Sequence, residues 1–65
     1  MEEYQQRVVD EKTALDDKIS RLKPFIATEK FFALPVFEQE RMNRQLHHME
    51  KYSDVLGERI EAFPK

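Results

Sequence analysis

The 65-residue chain has no cysteine, which excludes disulfide bridges and thiolate metal sites. It has a single glycine, so there is no Gly-rich loop to cradle phosphates, and no nucleophile elbow is present. No apolar run approaches the roughly 18 residues of a membrane span. The start, Met1-Glu2-Glu3, is acidic and unlike a signal peptide. A cytoplasmic setting is therefore the expectation, with no membrane partner. There is also no basic excess: 11 Lys and Arg stand against 13 Asp and Glu, a formal net charge of −2. That disfavours binding to duplex DNA or RNA. It does not exclude a small anion, because a few cations can converge locally on an acidic protein. A chain this short sits where one core is marginal. Without disulfides or a metal, partners are the remaining source of stability.

What the chain does have is two apolar stripes of heptad spacing. Val8, Leu15 and Leu22 repeat every seven residues, with Ile19 and Ile26 each four positions after the last two. Met42, Met49, Leu56 and Phe63 repeat every seven, with Leu46 and Ile60 interleaved. This is the 3.5-residue seam of packed helices and not the two-residue period of strands. Two such seams are more than one short chain can bury. The spacing predicts a helical hairpin, one domain over residues 1–65, that completes its core by assembling with copies of itself.

Helix one is expected to start near Glu2 or Glu3, where acidic residues complement the positive helix end, and to run through Leu22. Pro24 predicts a kink or break around Lys23. Thr28 can cap a short turn with Glu29 and Lys30, folding Phe31 and Phe32 inward under the bend. Pro35 suits the first turn of helix two, which should run to about Phe63 before Pro64. Gly57 lies inside that helix at a cost of about 1 kcal/mol against Ala, which close backbone approach at an interhelix contact would explain. Glu3–Arg7, Asp17–Arg21 and Glu40–Arg44 are acid-before-base pairs at i,i+4 that support solvated helix faces.

Chemistry is sparse. His47 and His48 are adjacent and project about 100° apart on a helix, so they cannot chelate one ion together. His47 and Glu50 share a face, but two ligands make a weak site for any metal. Neither a metal nor a cofactor is expected. Ser20 and Ser53 are the only serines, and the neighbouring acids Asp16-Asp17 and Glu2-Glu3 are no sign of a shared acid/base pair. No enzyme is expected. Phe25, Phe31, Phe32 and Phe37 could form a ligand box, but aromatics at a hairpin bend are more often core.

Four residues border the seams with chemistry of another kind. Lys18 and Ser20 flank Ile19, Arg59 precedes Ile60, and Tyr4 stands one heptad before the first seam becomes regular. Cations and a hydroxyl suit phosphate, and a ring suits a base. The alternative is that they are snorkelling rim residues of an oligomer.

The string from Arg7 to Ile26, followed by Gln39 to Ile60, resembles a small helical-hairpin family of bacteriophages. That family includes the anti-CBASS cyclic-oligonucleotide sponge and the hairpin portion of a Thoeris-inhibiting sponge. The matching positions are Arg7, Val8, Glu11, Leu15, Lys18, Ile19, Leu22, Phe25 and Ile26, then Gln45, Leu46, Met49, Tyr52, Leu56, Arg59 and Ile60. The resemblance implies capture of cyclic nucleotide immune signals without cleavage, by a hexamer with two kinds of pocket in the cytoplasm of the infected host. Lys18 matches the family's lysine for cyclic dinucleotides, and Tyr4 resembles its stacking tyrosine, at a spacing one residue shorter. Ser20, where the sponge has threonine, and Arg59 match positions associated with cyclic trinucleotides.

The expected fold is thus all-α: an antiparallel two-helix hairpin with a short helical turn at the bend, assembled as a homo-oligomer, with a hexamer implied. The leading function is sequestration of cyclic di- and/or trinucleotides. The rival is a non-enzymatic hairpin module that binds another protein through its seam.

Overall fold

A computed structural model describes residues 1–64. Three helices form in chain order: α1 (Glu3–Ile26), α2 (Glu29–Phe32) and α3 (Val36–Glu61). The two long helices pack along each other and α2 closes the bend, so the layout is the expected hairpin.

The start of α1 is fastened by Gln5, whose side-chain Oε1 accepts the Glu2 backbone N–H at 2.8 Å. Its end differs from expectation. α1 does not stop at Leu22 but runs through Pro24 to Ile26. Pro24 sits in the last turn, where its missing N–H costs one hydrogen bond and little helix remains to disrupt. The turn closes with tighter three-residue bonds, Ala27 N–H to Pro24 O at 3.1 Å and Thr28 N–H to Phe25 O at 3.0 Å. Continuing the helix keeps Phe25 and Ile26 against the fold, with the Phe25 ring edge-on to Phe31 at 6.2 Å.

At the bend, the Thr28 hydroxyl accepts the Phe31 N–H at 3.3 Å and donates to Phe25 O at 2.6 Å, so it caps α2 as its sequence position predicts. Phe31 is buried, at 2% exposure, but Phe32 is 64% exposed and Phe37 72%. The expectation of an inward Phe cluster therefore holds for Phe25 and Phe31 only. Consecutive residues of a helix point about 100° apart, so Phe31 and Phe32 cannot both face inward. Pro35 immediately precedes α3, its carbonyl accepting from Glu38 and Gln39 at 2.9 and 3.0 Å. The Gln39 amide donates back to the carbonyls of Leu34 and Phe32. α3 ends at Glu61, two residues earlier than expected.

Along the interface the seams continue through polar residues that the apolar pattern skips. On α1 the row is 5, 8, 12, 15, 19, 22, 26, with Gln5 and Lys12 as members. On α3 it is 39, 42, 46, 49, 53, 56, 60, 63, with Gln39 and Ser53. Lys12 Nζ donates to Ser53 Oγ at 2.7 Å and pairs with Asp16 at 2.9 Å, and Ser53 Oγ donates to Asp16. The Ser53 and Lys12 hydrogen bonds hold the Asp16 carboxyl below its ordinary value. Every member is satisfied, so this layer can fix the register of the two helices.

Gly57 is not needed for backbone contact within the hairpin. A Cβ there would meet Lys12 Cε at 3.5 Å, an ordinary van der Waals distance. Of the expected surface pairs, Glu3–Arg7 and Asp17–Arg21 form. Arg41 pairs with Glu38, and Glu40–Arg44 is not among the ion pairs of the described residues.

The hairpin is a rod. Its Cα extents are 48 × 15 × 14 Å with a radius of gyration of 15.0 Å, against about 11 Å for a compact domain of this length. Its accessible surface is 5194 Å², where a compact monomer of this mass would expose about 4,400 Å². Among the described residues only Val8, Phe31 and Leu56 are buried apolar side chains. Of the rest of the seam, Gln5 and Ser53 are buried polar residues and the others are half-buried.

Candidate functional site

The two helices meet along their seams, so each presents two flanks beside the contact. The salt bridge between Lys23 and Glu50, 3.0 Å long, joins residues that each directly follow a seam position and so identifies one flank. Asp16, Asn43 and Gly57 share that flank by heptad spacing. The opposite flank is lined by the residues that directly precede a seam position. These are Tyr4, Glu11, Lys18 and Phe25 on α1, and Gln45, Tyr52 and Arg59 on α3.

Antiparallel pairing arranges this second flank in levels. Tyr4 lies at the open end, where its ring meets Phe63 edge-on at 5.9 Å. With Gly57 against Lys12 and Ser53 against Asp16, the same register levels Arg59 with Glu11, Tyr52 with Lys18 and Gln45 with Phe25. Adjacent levels are one heptad apart, about 10 Å along the axis. Both tyrosines of the chain are on this flank, Tyr4 53% and Tyr52 46% exposed, with Val55 half-exposed beside them.

The flanks differ in charge. On the tyrosine side, the rows beside the seam carry Arg7, Lys18, Arg21, Arg41 and Arg59 against Glu11 and Glu38. On the other side the corresponding rows carry Asp16, Glu40, Glu50, Asp54 and Glu61 against Lys23. Three cations of the tyrosine side are engaged by helical neighbours: Arg7 by Glu3, Arg21 by Asp17 and Arg41 by Glu38. Lys18 and Arg59 are exposed and pair with no carboxylate among the described residues. Two free cations and two half-exposed rings on one face are groups suited to a phosphate ester carrying a planar base.

Three of the four residues singled out from sequence therefore lie on one flank: Tyr4, Lys18 and Arg59. Ser20 does not. It directly follows Ile19 on the acidic side, and its hydroxyl donates to the Asp17 carbonyl at 2.7 Å. Within one hairpin Ser20 and Arg59 cannot share a pocket. Lys18 and Arg59 lie on adjacent levels, about 10–14 Å apart along the rod, too far to hold one phosphate together. The described residues form no enclosed cavity, so a pocket on this flank needs a second surface above it.

Tyr52 and Gln45 were missed as candidates from sequence. Their signal was the heptad that links them to Arg59. His47 and His48 face each other edge-on at 5.6 Å, and no cluster of three or more His, Cys, Asp or Glu able to hold a metal occurs among the described residues. No helix is long and apolar enough to cross a membrane.

The Sequestin family model matches residues 2–62. A similar chain is the "Uncharacterized 7.5 kDa protein in denB-rIIB intergenic region" of Enterobacteria phage T4. It is 37% identical over 60 residues, which cover 92% of this chain and 94% of that protein. No solved structure matches. The chain belongs to the Sequestin family.

Proposed function

We propose that this Sequestin-family hairpin is a phage anti-defence sponge that binds cyclic di- and/or trinucleotide immune signals and holds them without cleaving them. The family's name speaks for sequestration, and a phage relative of nearly equal length speaks for a role in an infected bacterial cytoplasm. The observation that carries the reading is the flank itself. On a chain of net charge −2, both tyrosines and two cations that are unpaired among the described residues lie along one face.

A single open flank cannot enclose a ligand, so the pocket forms between copies. The half-buried seam and the exposed Phe32, Val36 and Phe37 supply apolar surface for such an assembly, and a hexamer is the state the family resemblance implies. Symmetry then solves the charge problem. A cyclic dinucleotide has approximate twofold symmetry and a cyclic trinucleotide approximate threefold symmetry. A ligand on a matching axis receives the same side chain from each related protomer, so one lysine or arginine per chain becomes two or three. Lys18 and Tyr4 serve the dinucleotide pocket. Arg59 serves a separate trinucleotide pocket with Ser20 contributed by a different protomer.

The test is a thermal shift with cyclic dinucleotides and trinucleotides added separately, followed by denaturation and chromatography of the ligand. A binder gains about 2.7 kcal/mol at ligand 100-fold above its dissociation constant and returns the ligand intact. No shift with either ligand would favour the rival, a protein-interaction module. Linear or mononucleotide products would overturn sequestration.

A further inference from the structure

The level that Tyr52 shares with Lys18 holds two groups that the hairpin itself leaves unused. Lys18 is exposed and pairs with no carboxylate among the described residues. Tyr52 is 46% exposed, and its ring stacks on no other ring of the described residues. Tyr4 differs on both counts. Its ring is already edge-on to Phe63, and it stands fourteen residues before Lys18, about 21 Å along α1. It cannot stack on a base whose phosphate the same copy's Lys18 holds. Towards the open end the register sets Ala14, exposed and small, against the half-exposed Val55. The two carboxylates of this flank stand elsewhere. Glu11 levels with Arg59, and Glu38, in the first turn of α3, pairs with Arg41 at 2.8 Å. The Lys18 level therefore combines a free cation, an open aromatic face and a small apolar floor, with no carboxylate in the rows beside the seam.

We propose that Tyr52 is a ligand-binding residue of the dinucleotide pocket: one base of the cyclic dinucleotide lies on a shelf made by Tyr52 and Val55, and its phosphate meets Lys18 of the same copy. This rests on the sequestration reading above. Lysine offers phosphate a compact charge with three rotatable donors. Stacking on a tyrosine tolerates any base, because every base has a π-face. No carboxylate or side-chain amide stands in the flanking rows at this level to read a base edge. The shelf thus adds affinity without choosing between adenine and guanine. Arg59 sits on the adjacent level beside Glu11, so the shelf serves dinucleotides and not the trinucleotide pocket assigned to Arg59.

The experiment is calorimetric titration of the full chain with cyclic di-AMP, cyclic GMP–AMP and cyclic tri-AMP, for wild type, Tyr52→Leu and Tyr52→Phe, with sedimentation of each variant. Tyr52→Leu keeps an apolar side chain and removes the ring. It is expected to weaken both dinucleotides by about tenfold or more and by the same factor, and to leave the trinucleotide unchanged. Tyr52→Phe keeps the ring and binds as wild type does. Combining Tyr52→Leu with Lys18→Ala is expected to cost less than the sum of the two single losses, because both residues hold one nucleotide. A second variant reports contact without relying on an intact Tyr52→Leu assembly. The chain has no tryptophan, so in Tyr52→Trp the new indole is the only one, and a dinucleotide base stacking on it quenches its fluorescence. Unchanged dinucleotide binding by Tyr52→Leu, an equal loss for the trinucleotide with assembly intact, or an indole that ligand does not quench would overturn the shelf and leave sequestration standing. Failure of the wild type to bind any cyclic di- or trinucleotide would overturn both.

Discussion

The two flanks of the hairpin are built on the same seam, from the same two helices, and carry opposite chemistry. One holds both tyrosines and five cations, and the other holds five carboxylates and one lysine. Net charge conceals this, because the two faces nearly cancel. The difference teaches that charge composition bounds binding partners only after it has been resolved by face. A chain with an acidic total can present a cationic surface wide enough for a nucleotide. It also separates roles: the tyrosine flank has its free cations exposed, whereas the lysine of the acidic flank is spent on Glu50.

The most disruptive change removes the seam that both flanks share. Leu56 is fully buried at 0% exposure, so Leu56→Ala should cost about 2–5 kcal/mol. Calorimetric unfolding should show the midpoint collapse, with the chemistry of both flanks lost together.

Next in size is a matched removal of one positive charge from each flank. Lys18→Ala should lose the charged phosphate contact, about 1.5–3 kcal/mol for each protomer that contributes it, and so abolish dinucleotide binding while sparing trinucleotides. Arg59→Ala should do the reverse. Lys23→Ala removes a surface pair worth about 0–1 kcal/mol and should leave ligand binding unchanged. Titration of the three variants with both ligand classes checks the set. If Lys23→Ala weakened binding as much as Lys18→Ala, the division into flanks would be wrong.

A smaller effect tests the layer that fixes how the flanks are aligned. Ser53→Ala removes hydrogen bonds to Lys12 and Asp16, at a cost of about 1 kcal/mol. Because the Asp16 pKa is lowered in the folded state, its contribution is present above the unfolded value near 3.8 and is lost as pH falls through the folded value. Wild type should therefore lose this contribution below about pH 4, and Ser53→Ala should show a flatter acid dependence in unfolding followed by circular dichroism.

The smallest effect concerns the acidic flank alone. Gly57→Ala should stabilise the hairpin by up to about 1 kcal/mol, since the added Cβ meets only Lys12 Cε at an ordinary distance. Thermal unfolding with sedimentation checks the sign. A loss of stability together with loss of the oligomer would mean that copies pack against the acidic flank at Gly57.

The sequence made the helices and their seams legible because apolar spacing is a direct record of helical period. It was less informative where polar residues enter the seam. Lys12 and Ser53 interrupt the apolar rows, so their shared layer with Asp16 went unread, although both sit at heptad positions. The bend was half legible: Thr28 capping follows from residue type, but of Phe31 and Phe32 on the short α2 only Phe31 can face inward, and Phe37, in the first turn of α3, is exposed. Pro24 signalled a break that the burial of Phe25 and Ile26 outweighs. Tyr4, Lys18 and Arg59 could be picked out by type, yet their common flank depends on which side of α1 meets which side of α3. That register is tertiary, and the Lys23–Glu50 and Tyr4–Phe63 contacts reveal it.

The chain has two tyrosines and no tryptophan, and both tyrosines lie on the flank assigned to ligand. The most direct test is therefore an NMR titration of tyrosine-labelled, glycine-labelled protein with a cyclic dinucleotide. The account predicts that the Tyr4 and Tyr52 ring resonances shift with saturable ligand dependence while the Gly57 amide on the acidic flank stays in place. Tyrosine rings that do not move, or a Gly57 amide that shifts while they stay still, would contradict it.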